Sequence, residues 1–301
     1  MINDEISDCF EEQFLKFKQF ISERTLDKIK EIERSIITTY RSRLWSKFTK
    51  AINEYQLVKE GDKICVCISG GKDSMLLAKL FQELHRHSKF EFDVIYLVMN
   101  PGYNDENLNL IKHNLKYLGI PAEIVDTDIF EITDKLEGSP CYMCARMRRG
   151  ALYRLAQDRG CNKIALGHHY DDVIETTLLN ILNAGSFQTM MPKLHSDNYK
   201  NMELIRPMYL IREKDIITWK DACNLEFIRC ACRLTESIEN QEIHDLNSQR
   251  HATKILIQEL TKYNENVEKN IFSSASNVNL DKVIAYKKDK QIHSFLDNYE
   301  K

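Results

Sequence analysis

No stretch of the chain stays apolar for the length of a membrane-spanning helix, which excludes a helical span. The first residues, Met1-Ile2-Asn3-Asp4-Glu5, are acidic where a secretory signal would be basic and then apolar, so a cytoplasmic protein without a membrane partner is expected. A basic excess is also missing. The net charge is −3, and bulk charge therefore advertises no nucleic-acid partner. A local basic face can still hold RNA, because only the contacting charges release counterions. The nine cysteines are odd in number and lack the spacing of a disulfide framework. Neither an internal repeat nor a low-complexity tract is present. What remains is an ordinary globular balance, 43% apolar and 29% charged, over 301 residues, enough for one large domain with extensions.

Three regions follow from the patterning. Residues 1–56 are highly charged, with apolar positions at helical spacing (Phe14, Phe17, Phe20, Ile21; then Leu44, Phe48, Ile52), and read as two amphipathic helices. Residues 57–235 alternate strands and helices. Strands are expected at 63–68, 92–98, 123–125, 163–167 and, shorter, 204–207; helices at 74–84, 107–118, 142–157, 172–182 and 214–224. Each strand is almost continuously apolar, the pattern of a parallel sheet covered on both faces, so the fold class is α/β with a Rossmann-like sheet. Ligands of such sheets bind beyond the carboxyl ends of the strands. Residues 185–201 read as a polar loop, and residues 236–301 as a helical extension to about Tyr263 followed by a weakly ordered tail.

The strongest local signal is Ser69-Gly70-Gly71-Lys72-Asp73-Ser74, placed after a strand and opening a helix. Two glycines let backbone N–H groups approach an anion, and the helix terminus adds unsatisfied donors. Lys72 can balance phosphate charge, Ser69 and Ser74 can donate hydroxyl hydrogen bonds, and Asp73 can hold Mg2+. A Walker loop is excluded, because an aspartate follows the lysine and the upstream glycine is missing. Gly167-His168-His169-Tyr170-Asp171-Asp172 follows the fourth strand. There Gly167 permits close approach to the backbone. The pair Asp171 and Asp172 can bind magnesium or orient a nucleophile, or simply cap a helix.

Four cysteines cluster: Cys141 and Cys144 at a helix start, Cys230 and Cys232 late in the chain. The helix terminus and nearby arginines favour thiolates. Three thiolates can hold a 4Fe–4S cluster with one open iron, four a closed zinc site, and one cysteine a persulfide. Cys65 and Cys67 read as small hydrophobes inside a strand, and Cys9, Cys161 and Cys223 have no comparable neighbours.

The six-residue loop resembles the fingerprint of the PP-loop ATP pyrophosphatases, which cleave ATP between its α- and β-phosphates and leave AMP on a substrate oxygen. A closer resemblance runs from about residue 40 to about residue 235. It rests on Gly61-Asp62-Lys63-Ile64, the loop, Cys141-x-x-Cys144 through Gly150, Ala165 through Asp172, Met191-Pro192-Lys193-Leu194, Ile205-Arg206-Pro207 and Arg212 through Ile216. In that order these segments are similar to the tRNA 2-thiocytidine synthetase family. The resemblance implies ATP and Mg2+ on residues 69–74 with Gly167, Asp171 and Asp172. It assigns catalysis to Lys72, Asp73, Asp171, Cys141 and Cys144. A 4Fe–4S cluster on three cysteines is also implied, two of them Cys141 and Cys144. The family's third ligand comes from a late Cys-x-x-Cys pair; this chain is one residue shorter there, and Cys232 (or Cys230) takes the place.

The implied activity is ATP-dependent thiolation of tRNA. The base oxygen is adenylated and then replaced by sulfur from a cysteine desulfurase or free sulfide, in a monomer or a homodimer. Arg146, Arg148, Arg149 and Lys193 are the candidate RNA contacts, joined by Arg154, Arg206 and Arg212. The rival readings are another PP-loop tRNA-modifying ligase, a thiolase of a different base, or an RNA- or nucleotide-binding protein with structural zinc.

Overall fold

The computed structural model describes residues 23–134, 140–228 and 246–299. Contacts group them into two compact units: residues 23–134, 140–172 and 191–228 in the first, residues 173–190 and 246–299 in the second.

The first unit opens with α1 (Glu23–Ile37) and α2 (Trp45–Glu54). Ile29, Ile32 and Ile36 of α1, and Phe48 and Ile52 of α2, are buried, the apolar stripes of two amphipathic helices. The stripe from Phe14 to Ile21 lies outside the described residues. Then come β1 (Lys63–Ile68), α3 (Lys72–His87), β2 (Asp93–Asn100), α4 (Asp105–Leu118), β3 (Ala122–Asp126), α5 (Ile129–Asp134) and α6 (Pro140–Asp158). β4 (Lys163–Ala165), α7 (Tyr170–Ala184), β5 (Lys193–His195), β6 (Glu203–Ile205) and α8 (Glu213–Ala222) follow, with α7 running on into the second unit.

The sheet has the order β3-β2-β1-β4-β6-β5 and is parallel except for β5. The chain works outward from β1 to β3, then returns to lay β4 on the other side of β1. That reversal opens a crevice between the carboxyl ends of β1 and β4, the usual ligand position in such sheets. Alternation along β1 explains its continuous apolar run. Ile64, Val66 and Ile68 join the core formed with α1 to α4 and α8, while Cys65 and Cys67 join a second core with Tyr153, Ala156 and Cys161. Cys65 and Cys67 are thus the small hydrophobes expected. Cys161 does have a neighbour: its hydrogen bond with Cys65, then burial, push its thiol up.

α1 is fastened by charge as well as by its apolar face. The fully buried Lys79 ammonium donates to Glu33 Oε1 at 2.6 Å, Gln82 Oε1 at 2.6 Å and the Leu118 carbonyl at 2.7 Å. Arg86 adds bonds from Nη1 to Glu33 Oε2 at 2.7 Å and to Glu83 Oε1 at 2.6 Å. Burial pushes the Glu33 carboxyl up, but Lys79 and Arg86 outweigh it and hold it below the ordinary value.

Two expectations are corrected. Residues 185–201 contain β5, a three-residue antiparallel edge strand pairing Lys193–His195 with Ile205–Glu203. It is too short and too exposed to leave an alternating signature. The stretch after Tyr263 is not a weakly ordered tail. In the second unit α9 (Leu246–Tyr263) is followed by α10 (Val267–Ser274) and by a hairpin of β7 (Ala285–Lys288) and β8 (Gln291–Ser294). The hairpin turns on Asp289 and Lys290, both at positive φ (51° and 64°), a geometry that Asn-Gly usually announces and Asp-Lys does not.

Candidate active site

The phosphate loop is held by its own serines. Ser74 Oγ accepts from the Ser69 N–H at 3.1 Å and donates to the Gly71 carbonyl at 2.9 Å, while Ser69 Oγ lies 3.3 Å from it. Ser74 is buried and shapes the turn from within. Gly70 has φ +88°, and a Cβ there would stand 2.7 Å from Ile111 Cγ1 and 2.8 Å from Ile228 Cδ1. Only glycine fits. Gly71 is the N-cap of α3, with no side-chain cap, so nothing stands between the first-turn N–H groups and an anion.

Lys72 Nζ sits 3.2 Å from Asp73 Oδ2 and 3.2 Å from Glu213 Oε1 at the start of α8. Burial pulls its ammonium down, but the two carboxylates prevail and hold it above the ordinary lysine value. Asp73 behaves oppositely. Burial pushes its carboxyl up, against the pull of His169 and Lys72. Its Oδ1 is buried and has no hydrogen-bond partner among the described residues, and His169 Nε2 stands 3.8 Å away. An orphaned carboxylate oxygen beside an anion-binding turn is a fitting ligand for Mg2+.

The second motif meets the loop directly. A Cβ on Gly167 would lie 3.1 Å from Asp73 C and 3.1 Å from Ser74 N, so the close approach this glycine permits is that of the α3 backbone. Asp172 Oδ2 accepts from the His169 N–H at 2.9 Å, a turn-closing bond at the start of α7. Asp171 is an anchor. Its Oδ1 takes Arg212 Nη2 at 3.0 Å and its Oδ2 the Glu213 N–H at 2.7 Å, which sets the α8 terminus and brings Glu213 to Lys72.

The helix that carries Cys144, and the chain as far as Ile228, also approach this loop. Cys144 is buried in α6. One turn on, Arg148 Nη2 donates to Tyr103 Oη at 3.4 Å, and Tyr103 Oη donates to the Ser69 carbonyl at 3.3 Å. Burial pushes the Tyr103 hydroxyl up; Arg148 pulls it down, and the Cys144 thiol lies near enough to push it further. Ile228, which packs over Gly70, is two residues before Cys230. The side chain of Cys141 and both Cys230 and Cys232 lie outside the described residues.

A model of the PP-loop domain matches residues 41–243. The chain is 36% identical over 234 residues to the tRNA-cytidine(32) 2-sulfurtransferase of Nitrosospira multiformis, covering 76% of this chain and 74% of that one. It is 37% identical over 235 residues to the protein of the same name from Coxiella burnetii, covering 76% and 87%. The chain belongs to the tRNA-cytidine 2-sulfurtransferase family of PP-loop proteins. Among solved structures, the U34-tRNA thiolase NcsA of Methanococcus maripaludis with its [4Fe-4S] cluster shares the fold, with a TM-score of 0.60 at 21% identity over 84% of this chain and 78% of that one.

Around this PP-loop the expected RNA contacts separate into two groups. Arg146, Arg149 and Arg154 are exposed on α6. Lys193, at the carboxyl-end side of the sheet, spends its ammonium on the Gln56 carbonyl at 3.2 Å, and Arg148 spends one arm on Tyr103. Arg206 is buried, bonded to the Met191 carbonyl, and pushed down to about 10 by burial and then by Arg149. Arg212 is committed to Asp171 and lies over the Tyr170 ring at 5.0 Å. Sequence reasoning missed Glu213 and Tyr103 as partners of the PP-loop. Glu213 was visible only as part of a family segment, and nothing local to Tyr103 announces its role.

Proposed function

We propose that this sulfurtransferase-family chain thiolates tRNA, converting a cytidine to 2-thiocytidine with ATP as the activating substrate. The observation that carries the reading is convergence. Through Tyr103 the PP-loop meets the helix of Cys144, and through Ile228 it meets the segment leading to Cys230 and Cys232. Phosphate and thiol chemistry are thereby brought to neighbouring segments of the chain.

The residues at hand fit the groups required. The Gly70-Gly71 turn and the open α3 terminus receive the phosphates, and Lys72 neutralises their charge on leaving Glu213. Asp73 offers its free oxygen to Mg2+. Cys141, Cys144 and Cys232 (or Cys230) would hold a 4Fe–4S cluster, soft thiolates being its ordinary ligands, and the cluster would supply sulfur-handling chemistry there. Asp171 fixes Arg212 and the α8 terminus, and Asp172 fixes the turn that carries His169.

In the first half-reaction the cytidine O2 attacks the α-phosphorus and the bond to pyrophosphate breaks, leaving AMP on the base. Sulfide then adds to C2, the C–O bond breaks, and AMP departs. The chain contributes positioning and charge neutralisation, which dominate such transfers. Exposed Arg146 and Arg149 orient the tRNA, and a cysteine desulfurase or free sulfide supplies the sulfur. The test is anaerobic purification followed by metal analysis and nucleoside mass spectrometry of treated tRNA. Iron with labile sulfide, and loss of 2-thiocytidine in Cys144→Ala, support the reading. Stoichiometric zinc without iron, or full activity in Cys144→Ala, overturns it.

A further inference from the structure

Tyr103 is fixed with unusual care for a residue outside every recognisable motif. It follows the end of β2, where Asn100 Oδ1 accepts from the Gly102 N–H at 3.0 Å and from the Tyr103 N–H at 2.7 Å. Asn100 Nδ2 is itself held by Asp126 Oδ1 at 2.8 Å, across the β2–β3 register. Gly102 has φ +110°, and a Cβ there would touch Phe130 at 3.4 Å, so the turn that aims Tyr103 depends on glycine. The Tyr103 ring packs edge-on against Phe130, with centroids 6.2 Å apart, and the residue is buried. All this rigidity presents one hydroxyl to two parts of the site.

That hydroxyl donates to the Ser69 carbonyl, the first residue of the PP-loop, at 3.3 Å, and accepts from Arg148 Nη2 at 3.4 Å. Cys144 and Arg148 are four residues apart in α6 and share a helix face. Both hydrogen bonds are long for their types, so neither holds much of the fold together. Their importance lies in the shared atom. A loop that tightened around phosphates would shift the Ser69 carbonyl, to which this hydroxyl donates while it accepts from Arg148.

We propose that Tyr103 is a positioning residue that couples occupancy of the PP-loop to the placement of the Cys144-bearing face of α6. It touches neither phosphate nor base. It acts through Ser69 on one side and Arg148 on the other, aligning the sulfur-handling helix only when nucleotide fills the loop. The role in sulfur transfer rests on the thiolation reading above; the mechanical link does not.

Tyr103→Phe keeps the ring and its packing on Phe130 and deletes only the shared hydroxyl, so the test separates coupling from folding. Amide hydrogen exchange of the chain without cluster, with and without a non-hydrolysable ATP analogue, is the first measurement. In the unsubstituted chain the analogue is expected to slow exchange both over residues 69–76 and over the first turns of α6. In Tyr103→Phe the first effect persists and the second disappears. An α6 response that survives the substitution, or that is missing from the unsubstituted chain, overturns the proposal. So does loss of analogue binding in Tyr103→Phe, which would make the residue part of the loop's own structure. The second measurement, on the cluster-loaded enzyme, is thiolated tRNA formed per AMP released. It is expected to fall about tenfold or more in Tyr103→Phe, and an unchanged ratio again overturns the proposal. Should the loaded enzyme make no 2-thiocytidine while the exchange pattern holds, the thiolation reading fails and the coupling stands.

Discussion

At the scale of single residues the site is a set of compromises between charge and burial. Asp73 is the clearest. Burial raises its carboxyl above the ordinary value, so its ionised form is a cost to the folded state. That cost is fully present above the raised folded pKa and absent once pH falls below the ordinary carboxylate range, where both states are protonated. Asp73→Asn is therefore expected to raise the Tm of the nucleotide-free protein at pH 7, with the gain fading towards pH ~3. AMP formation should drop by about 10²-fold or more, as removal of a transition-state contact does. Thermal denaturation across that pH range, beside an AMP assay, checks both halves. The loop around Asp73 was legible in sequence because its six residues are contiguous and each has a local reason to be there. Glu213 on Lys72 and Tyr103 on Ser69 were not legible, since each joins positions far apart in the chain by contacts that no periodicity records.

At the scale of elements, β1, β2 and β4 were readable because they are buried along almost their whole length, whereas the six-residue α5 (Ile129–Asp134) was too short to leave a helical period. The α4 helix shows the usual boundary error. Its true start is two residues earlier than periodicity suggests, where the Asn104 side chain accepts from the Asn107 N–H at 2.8 Å, and it ends at Gly119 in the left-handed conformation. β5 and the β7–β8 hairpin escaped notice for the opposite reason: they are exposed, so no burial pattern marks them. The fastening of α1 yields a sharp expectation. Glu33→Ala would leave Lys79 buried with no carboxylate in contact, at a cost of about 3–5 kcal/mol. Chemical denaturation should show that loss. A Glu33→Ala/Lys79→Met double variant should recover much of it, because the stranded ammonium is removed together with its partner.

At the scale of the molecule, the PP-loop is shaped by Ser69, Ser74, Gly167 and the α8 terminus, none of which contributes a thiol. Iron chelation or exposure to air is thus expected to abolish formation of thiolated tRNA while ATP still binds, since the residues that receive it carry no thiol. Equilibrium dialysis with ATP before and after chelation, alongside nucleoside analysis, decides the matter; joint loss of both would mean that the loop and the thiol-bearing segments form one folding unit. The paired carboxylates on Lys72 have a consequence of their own. A cation already answered on two sides exerts little net pull on chloride or orthophosphate, so Lys72 adds little to the hold of the turn on small anions. Only a guest that arrives with its own metal, able to occupy Asp73 while its oxygens claim the lysine, gains by displacing both. The pairing is therefore expected to favour a magnesium-laden polyphosphate over free small anions before any base has been presented.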